Sequence, residues 1–143
     1  MHKFQYSQVK PSNKIMFKQI NQVKKIAKDV YRTLGSGFSE DVYDKAMQVG
    51  LRSAKVSYES QKAVELKYKN FFVGEGYPDI ITHFGSKKLI LELKAVGGNI
   101  GAAEEQQIKN YMKILKIKNG LLINFQQPKK EGKAQLEIRE IKI

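Results

Sequence analysis

Two β-rich segments separated by a short turn are the feature that most constrains the fold of this chain. Residues 80–84 and 87–91 are rich in isoleucine, leucine and other strand-forming residues, and Gly85-Ser86 lies between them. A two-residue connection of this kind is typical of a β-hairpin, so Phe84 is expected to lie opposite Lys87 in an antiparallel ladder. The sequence therefore predicts a sheet with this hairpin in it.

The same register brings three charged residues together. Counting back from the turn places Asp79 directly opposite Glu92, and directly opposed residues share a sheet face. Side chains alternate along a strand, so Lys94 joins Glu92 on that face while the intervening leucines point into a core. We therefore expect a cluster of Asp79, Glu92 and Lys94 on one side of the sheet.

This cluster suggests a metal-assisted reaction at phosphorus. Two opposed carboxylates repel each other by roughly 0.2–1 kcal/mol when exposed, and a bound divalent cation would reverse that sign. Carboxylate oxygens suit Mg²⁺ or Mn²⁺, whose retained water can attack a phosphodiester, and Lys94 would orient that water or neutralise the phosphate. The alternative is an exposed strand end with a salt bridge from Lys94 to Glu92 or Asp79.

The charge of the chain points to a polyanionic partner. Its 143 residues include 26 Lys and Arg against 14 Asp and Glu, a formal net charge of +12. Nucleic acid is the obvious candidate, and the excess of lysine over arginine favours contact with the phosphate backbone over reading of bases. A solvated basic surface without a partner is the alternative.

Helical spacing of apolar residues from 15 to 34 predicts an amphipathic basic helix. Lys24, Lys28 and Arg32 lie on its polar side, where they either contact phosphates or form a solvated face. Residues 1–14, with a break at Pro11-Ser12-Asn13, are expected to form an N-terminal arm or a short edge strand.

The remaining pattern fits one mixed domain over residues 1–143. We expect an antiparallel meander from residue 56 to the Asp79 strand, a glycine-rich loop at 97–101, a helix over 102–116 and an apolar strand at 121–125. A helix between two strands implies a crossover. Residues 126–143 should form a polar loop and an edge strand.

Several classes of protein are disfavoured. The chain has no cysteine, which removes disulfides and thiolate metal sites, and its two histidines, His2 and His83, are too few to matter as ligands. No apolar run approaches the length of a membrane span, and the N-terminus lacks the apolar core of a secretory signal. We therefore expect no membrane insertion and an intracellular location, cytoplasmic by default.

Five ordered blocks of sequence resemble a known family. They are Gly37-Phe38-Ser39-Glu40-Asp41-Val42-Tyr43, Pro78-Asp79, Glu92-Leu93-Lys94-Ala95-Val96, Gln107-Ile108-Lys109-Asn110-Tyr111 and Gly120-Leu121-Leu122-Ile123-Asn124-Phe125. In order and spacing they are similar to the small GxxExxY proteins of the PD-(D/E)XK nuclease superfamily. Glu104 departs from the pattern, because the family often has histidine there.

The resemblance implies a restriction-endonuclease-like core, a mixed sheet flanked by helices. It implies that Asp79 and Glu92 bind Mg²⁺ or Mn²⁺, that Glu40 faces the metal or its waters, and that Lys94 acts in catalysis. It also implies that Gln107 and Tyr111 lie beside the site, and the two are i, i+4 and so share a helix face. From the residues alone, Glu40 would be a helix-start acid and Tyr111 a core aromatic.

The leading hypothesis is a metal-dependent nuclease acting on nucleic acid, with DNA favoured over RNA. In it Asp79, Glu92 and Glu40 hold the metal ion, Lys94 orients the attacking water and Gln107 helps to position that water. The alternatives are a non-catalytic nucleic-acid-binding or accessory module that uses the same basic surface, and a structural protein that docks an acidic partner. An enzyme with one site per subunit would need a second copy to cut both strands in one encounter, so a homodimer is a further expectation.

Overall fold

The computed structural model of the protein describes residues 11–143, with side chains from residue 14 onward. Residues 1–10 of the expected N-terminal arm, including His2, lie outside the described residues. The expectation for the rest of the arm was wrong, since Pro11 and the residues after it are helical rather than a break. A proline φ near −65° is compatible with helical geometry, so a proline does not by itself exclude a helix.

The described residues form helices and strands in a mixed order along the chain. None of these helices is long and apolar enough to cross a membrane. The elements are α1 (Pro11–Leu34), α2 (Glu40–Ser53), β1 (Ser57–Ser60), β2 (Val64–Tyr68), β3 (Phe71–Gly76), β4 (Ile80–Phe84), β5 (Lys87–Lys94), α3 (Ala102–Leu115), β6 (Asn119–Phe125) and β7 (Leu136–Lys142).

A central five-stranded sheet has the order β1-β4-β5-β6-β7. Strands β5 and β6 are parallel and are joined through α3, whereas the other neighbouring pairs are antiparallel. Two neighbouring parallel strands require such a crossover, because a tight turn reverses the direction of the chain and so joins only antiparallel strands. The predicted mixed sheet flanked by helices is therefore confirmed, as is the edge position of the last strand, β7.

Each face of the sheet has its own hydrophobic core. On one face, α1 and α2 pack on a cluster that includes Leu89, Leu91 and Leu93. On the other face, α3 packs through Ile108 and Met112 on a cluster that includes Ile90, Leu122 and Ile141. The alternation along β5 therefore buries both of its faces, which is expected of a strand in the middle of a sheet.

The register of the β4–β5 hairpin is the one counted from the sequence. Phe84 pairs with Lys87 and Ile80 pairs with Leu91. The expected meander, in contrast, was wrong. Strands β2 and β3 form a separate two-stranded sheet, and β1 pairs directly with β4. Strand propensity identifies these segments but carries no information on which partner each one takes.

We predict that Gly120→Ala destabilises the protein, because Gly120 lies where α3 meets the sheet. A Cβ at this position would be 2.9 Å from Ile90 Cγ2, 3.0 Å from Ile108 Cδ1 and 3.0 Å from Met112 Sδ. Overpacking of this kind costs about 1–3 kcal/mol of unfolding free energy, which urea denaturation would measure. Gly97→Ala is the control, since its Cβ would meet nothing within 4 Å and should change stability by less than about 0.5 kcal/mol. Equal unfolding curves for both variants would contradict this packing.

Candidate active site

Asp79 and Glu92 form a tightly coupled pair at the end of the β4–β5 hairpin. The backbone N–H of Leu93 donates to Asp79 Oδ2 at 2.7 Å, and the backbone N–H of Asp79 donates to Glu92 Oε1 at 3.2 Å. Each carboxylate thus accepts a hydrogen bond from the other strand. The structure brings these two acids together as the hairpin count predicts.

Burial of Glu92 makes this pair costly. Glu92 is only 4% exposed, although it carries a carboxyl group. Burial, and then the neighbouring Asp79 carboxylate, raise the pKa of Glu92 to about 8, against smaller opposing effects of the Asp79 backbone N–H and of Lys94. A buried acid that cannot easily ionise, next to a second acid, is typical of a functional site and unusual in a purely structural strand.

Lys94 lies at the end of β5, half-buried and two residues after Glu92. Its charge lowers the pKa of both Glu92 and Glu40, so the ammonium group is close enough to act on both carboxylates. The ion pairs among the described residues include none between Lys94 and Asp79 or Glu92. The simple salt-bridge alternative is therefore absent from the structure, and the ammonium group is not held by these acids.

Glu40 begins α2, and the loop before that helix fixes its position. Gly35 and Gly37 have φ values of 76° and 104°, a region that favours glycine. The Tyr43 hydroxyl donates to the Gly35 carbonyl at 2.6 Å and accepts from the Phe38 N–H at 3.4 Å. Tyr43, which is fully buried, thereby holds the loop against the first turn of α2, where Glu40 lies.

The electrostatics of Glu40 place it near the acidic pair. As a residue it is exposed, yet its carboxyl group is partly desolvated, and this raises its pKa. Lys94 lowers the Glu40 pKa, whereas Asp79 and Asp44 raise it. Glu40 therefore shares an electrostatic field with Asp79 and Lys94.

Sequence reasoning missed two neighbours of Asp79. Burial raises the pKa of Asp44, its hydrogen bond from Gln48 lowers it, and Asp79 raises it further. Asp44 is four residues after Glu40 and so lies on the same helix face, which is the signal that could have revealed it. Gln61 donates from Nε2 to Asp79 Oδ1 at 3.2 Å, but its position in a loop left no sequence signal.

Helix α3 contributes the polar wall of the site. A cavity of about 510 Å³ is lined by Lys94, Ala103, Glu104, Gln106, Gln107 and Asn110. Gln107 thus faces the same space as Lys94. Tyr111, one turn later, accepts a hydrogen bond through its hydroxyl from the Tyr77 N–H at 3.3 Å, two residues before Asp79. Glu104 accepts from the Gly101 N–H at 2.9 Å, so it also caps the helix.

The basic residues of α1 are not brought to the carboxylates. This helix packs on the leucine face of β5, opposite the face that carries Glu92 and Lys94. Lys24 forms an ion pair with Glu140, and Arg32 pairs with Asp29 at 2.6 Å. Lys28 is exposed. Contact of Lys24, Lys28 and Arg32 with phosphates stays a prediction that the site geometry does not itself require.

The carboxylates have the chemistry of a site for a hard divalent cation. Within the described part of the chain, no group of three or more carboxylates or histidines is arranged to enclose a metal ion. Glu40 therefore does not complete a three-ligand cluster with Asp79 and Glu92. The convergent pair alone fits Mg²⁺ or Mn²⁺, because such ions commonly use one or two carboxylates and keep several waters. Glu92, a buried acid whose pKa is raised, is also a group that a cation would stabilise in its ionised form.

Comparisons with known proteins are consistent with this geometry. A family model described as the PD-(D/E)XK nuclease superfamily matches residues 18–137. No curated protein matches the sequence. A structure described as the crystal structure of SSO0001 has a TM-score of 0.56 and 16% identity, covering 71% of this chain and 50% of that chain. This chain thus spans about half the length of that protein.

A second solved structure is Archaeoglobus fulgidus Hjc, described as a Holliday junction resolvase from an archaeal hyperthermophile. It matches with a TM-score of 0.44 and 14% identity, over 73% of this chain and 82% of that chain.

We predict that the metal-free protein loses stability as the pH rises, and that Glu92→Gln removes this loss. The folded-state pKa of Glu92, about 8, lies above its unfolded value, so the native state binds more protons between about pH 4.5 and pH 8. The contribution of Glu92 is complete below that window and is lost as the pH rises through it. Thermal melting in chelator across this range measures the effect.

Two observations decide the outcome of that measurement. The melting temperature of the wild type should fall relative to that of Glu92→Gln toward pH 8, and Mg²⁺ should restore it. Parallel curves for the two proteins across the whole range would contradict the buried, protonated state of Glu92. Glu65→Gln, at an exposed glutamate of β2, is the matched control.

Proposed function

Because the chain belongs to the PD-(D/E)XK nuclease superfamily, we propose that it is a divalent-metal-dependent nuclease that hydrolyses phosphodiester bonds of DNA. Its fold is the restriction-endonuclease-like core that the sequence predicts. The observation that carries the proposal is the contact of Asp79 with the buried Glu92, with Lys94 on the same strand as Glu92. A buried acid held beside a second acid is destabilising unless a ligand compensates it.

In this proposal Asp79 and Glu92 hold Mg²⁺ or Mn²⁺, and Glu40 faces the waters around it. The cation, when bound, supplies Lewis acidity at the phosphate and lowers the pKa of water. Asp79 is oriented for this role by Leu93 and Gln61, which donate to its two oxygens. These contacts fix the carboxylate plane before any ligand arrives, which avoids an ordering cost during the reaction.

Lys94 and Gln107 line one cavity, and in this proposal they act on the substrate there. Lys94 has no ion pair with the two acids, so its ammonium group can face the scissile phosphate and orient the attacking water. Gln107 lines the cavity with Lys94 and supplies an amide that accepts and donates hydrogen bonds. Its role is to hold the water or a phosphate oxygen in line, a contribution of position more than of acid–base chemistry.

The subfamily and the oligomeric state belong to the same proposal. Gly37, Glu40 and Tyr43 carry the GxxExxY pattern, and the linkage of Tyr43 to the loop before α2 gives the pattern a structural purpose. We propose a single nuclease domain that pairs with a second copy when both strands are cut.

A cleavage assay tests this function. Plasmid, linear duplex, single-stranded and branched DNA, together with RNA, would each be incubated with Mg²⁺, Mn²⁺ or chelator. We expect metal-dependent cutting that falls by at least about 100-fold in Lys94→Ala and Asp79→Asn, since positioned catalytic groups contribute that much. Lys88→Ala is the charge-matched control, because Lys88 is exposed on the same strand and distant from the acids.

The pattern of loss distinguishes the alternatives. Nucleic acid bound by the wild type and by both variants, with no cutting of any substrate, would support the non-catalytic binding module instead. Cutting that survives in Lys94→Ala would reject the assigned site. Thermal melts of each variant show that lost activity does not come from unfolding.

A further inference from the structure

The β2–β3 hairpin carries an exposed aromatic surface that the proposed chemistry does not use. Tyr68 is 62% exposed, Phe71 72%, Phe72 59% and Val73 62%. These four residues surround the turn at Lys69-Asn70, where both backbone φ values are positive. Single exposed apolar residues are common, but a cluster at the tip of one hairpin indicates a binding surface.

Helix α3 holds this hairpin in place. A two-stranded sheet is marginally stable by itself, so its position must come from packing. A Cβ at Gly76 would lie 2.5 Å from Tyr111 Cε1, so the Tyr111 ring lies directly on the β3 backbone. Val64, at the start of β2, is buried. Three residues after Gly76 the chain reaches Asp79, so the hairpin is tied to the acidic pair on one side and to α3 on the other.

Two adjoining cavities form a groove from Lys94 to the hairpin. The cavity that contains Lys94 is lined by Gln107 and Asn110 on α3. A second cavity, of about 640 Å³, shares Gln107 and Asn110 and extends to the hairpin. Its other lining residues are Glu65, Leu66, Lys67, Tyr111, Lys113 and Ile114. The volume of each cavity lies within the range of about 300–1,000 Å³ that accommodates small ligands. Because the two cavities adjoin, together they offer an elongated binding surface for a chain-like ligand.

The strand register shows which aromatic side chains share a face at the hairpin tip. Phe71 is paired with Tyr68 on one face, and Phe72 is paired with Lys67 on the other. A β-bulge between Leu66 and Lys67 shifts the register just before this tip, and Lys67 lines the second cavity beside Leu66. The cavity therefore reaches the base of the tip, where Tyr68 and Phe71 offer two rings on one face.

Positive charge accompanies these rings. The Lys69 ammonium nitrogen lies over the Tyr68 ring, 5.2 Å from its centroid, which is a cation–π geometry. Lys113 lines the second cavity. Exposed aromatic rings with lysines close by match the chemistry of an unpaired nucleobase and its phosphate.

We propose that Tyr68 and Phe71 stack on unpaired nucleobases of the strand whose phosphodiester is cut near Lys94. The inference rests on the proposed function, since it names the substrate of that site as nucleic acid with a single-stranded segment next to the cleaved bond. The groove across α3 spans the distance from Lys94 to the hairpin. The sugar-phosphate backbone of the bound strand lies along this groove.

Binding to Lys94→Ala protein with Mg²⁺ tests the proposal independently of cleavage. Fluorescence anisotropy would compare a blunt DNA duplex, the same duplex with a single-stranded extension, and matching RNA, each over a range of salt concentrations. Tyr68→Ala and Phe71→Ala should weaken binding of the extended duplex by about 5- to 100-fold and leave the blunt duplex unchanged. Phe72→Ala, on the other face of the same hairpin, is the matched control and should bind like the parent.

Salt dependence and quenching separate stacking from charge. Removal of a ring should leave the slope of log Kd against log salt unchanged, whereas Lys69→Ala should reduce that slope. A fluorescent base analogue in the extension should be quenched by the parent protein and by Phe72→Ala but not by Phe71→Ala. The DNA and RNA arms identify which nucleic acid carries the unpaired bases.

Other results would overturn the inference. Equal affinity for blunt and extended duplexes, or equal losses in Phe71→Ala and Phe72→Ala, would exclude face-specific stacking. A change of oligomeric state in Tyr68→Ala, measured by light scattering, would assign the surface to a second copy. Failure of the nuclease proposal looks different: the wild type would bind extended duplex through the hairpin yet cut nothing.

Discussion

Asp79 and Glu92 each accept a hydrogen bond from the backbone of the other's strand, and this reciprocal contact is the constraint on which the site depends. It can form only in the register of the β4–β5 hairpin, because a slip of one residue would turn Glu92 toward the leucine core. The same register buries Glu92 and raises its pKa, so packing of the sheet and electrostatics of the site are set together. Glu92 is buried beside the carboxylate of Asp79, an arrangement that is unfavourable for folding, and the cation of the proposed function would offset this cost.

Elements outside the hairpin fix the other groups around this pair. Tyr43 stacks on Phe125 with ring centroids 4.5 Å apart and binds the loop before α2, so the central sheet determines where Glu40 lies. Beyond Lys94, buried Asn124 accepts from the Val96 N–H at 3.0 Å and donates to the Gly98 carbonyl at 2.9 Å. The chain leaving β5 is therefore held on β6 before α3 begins. Rigid support of this kind is what a site needs when its residues come from separate elements.

Local rules predicted the hairpin and the Asp79–Glu92 contact, because a tight turn and a period of two leave few alternatives, whereas the mixed sheet flanked by helices followed from the family resemblance. The meander failed because propensity does not specify pairing: β2 and β3 pair with each other and β1 crosses to β4. Glu40 was assigned to the site from the family resemblance. The sequence alone could not place it there, because its position depends on how the loop at residues 35–38 folds. Asp44 and Gln61 were missed because their interactions with Asp79, an electrostatic effect for Asp44 and a hydrogen bond for Gln61, span distant parts of the sequence.

Direct metal binding tests the central claim most closely. Calorimetric titration of Mn²⁺ into the wild type, Asp79→Asn and Gln107→Ala separates the acidic pair from the substrate side of the cavity. The account predicts saturable binding by the wild type, similar binding by Gln107→Ala, and loss of binding in folded Asp79→Asn. Binding should also release a proton near neutral pH, because Glu92 must ionise. Equal Mn²⁺ binding by all three proteins, or none by the wild type, would contradict the claim that Asp79 and Glu92 form a metal site.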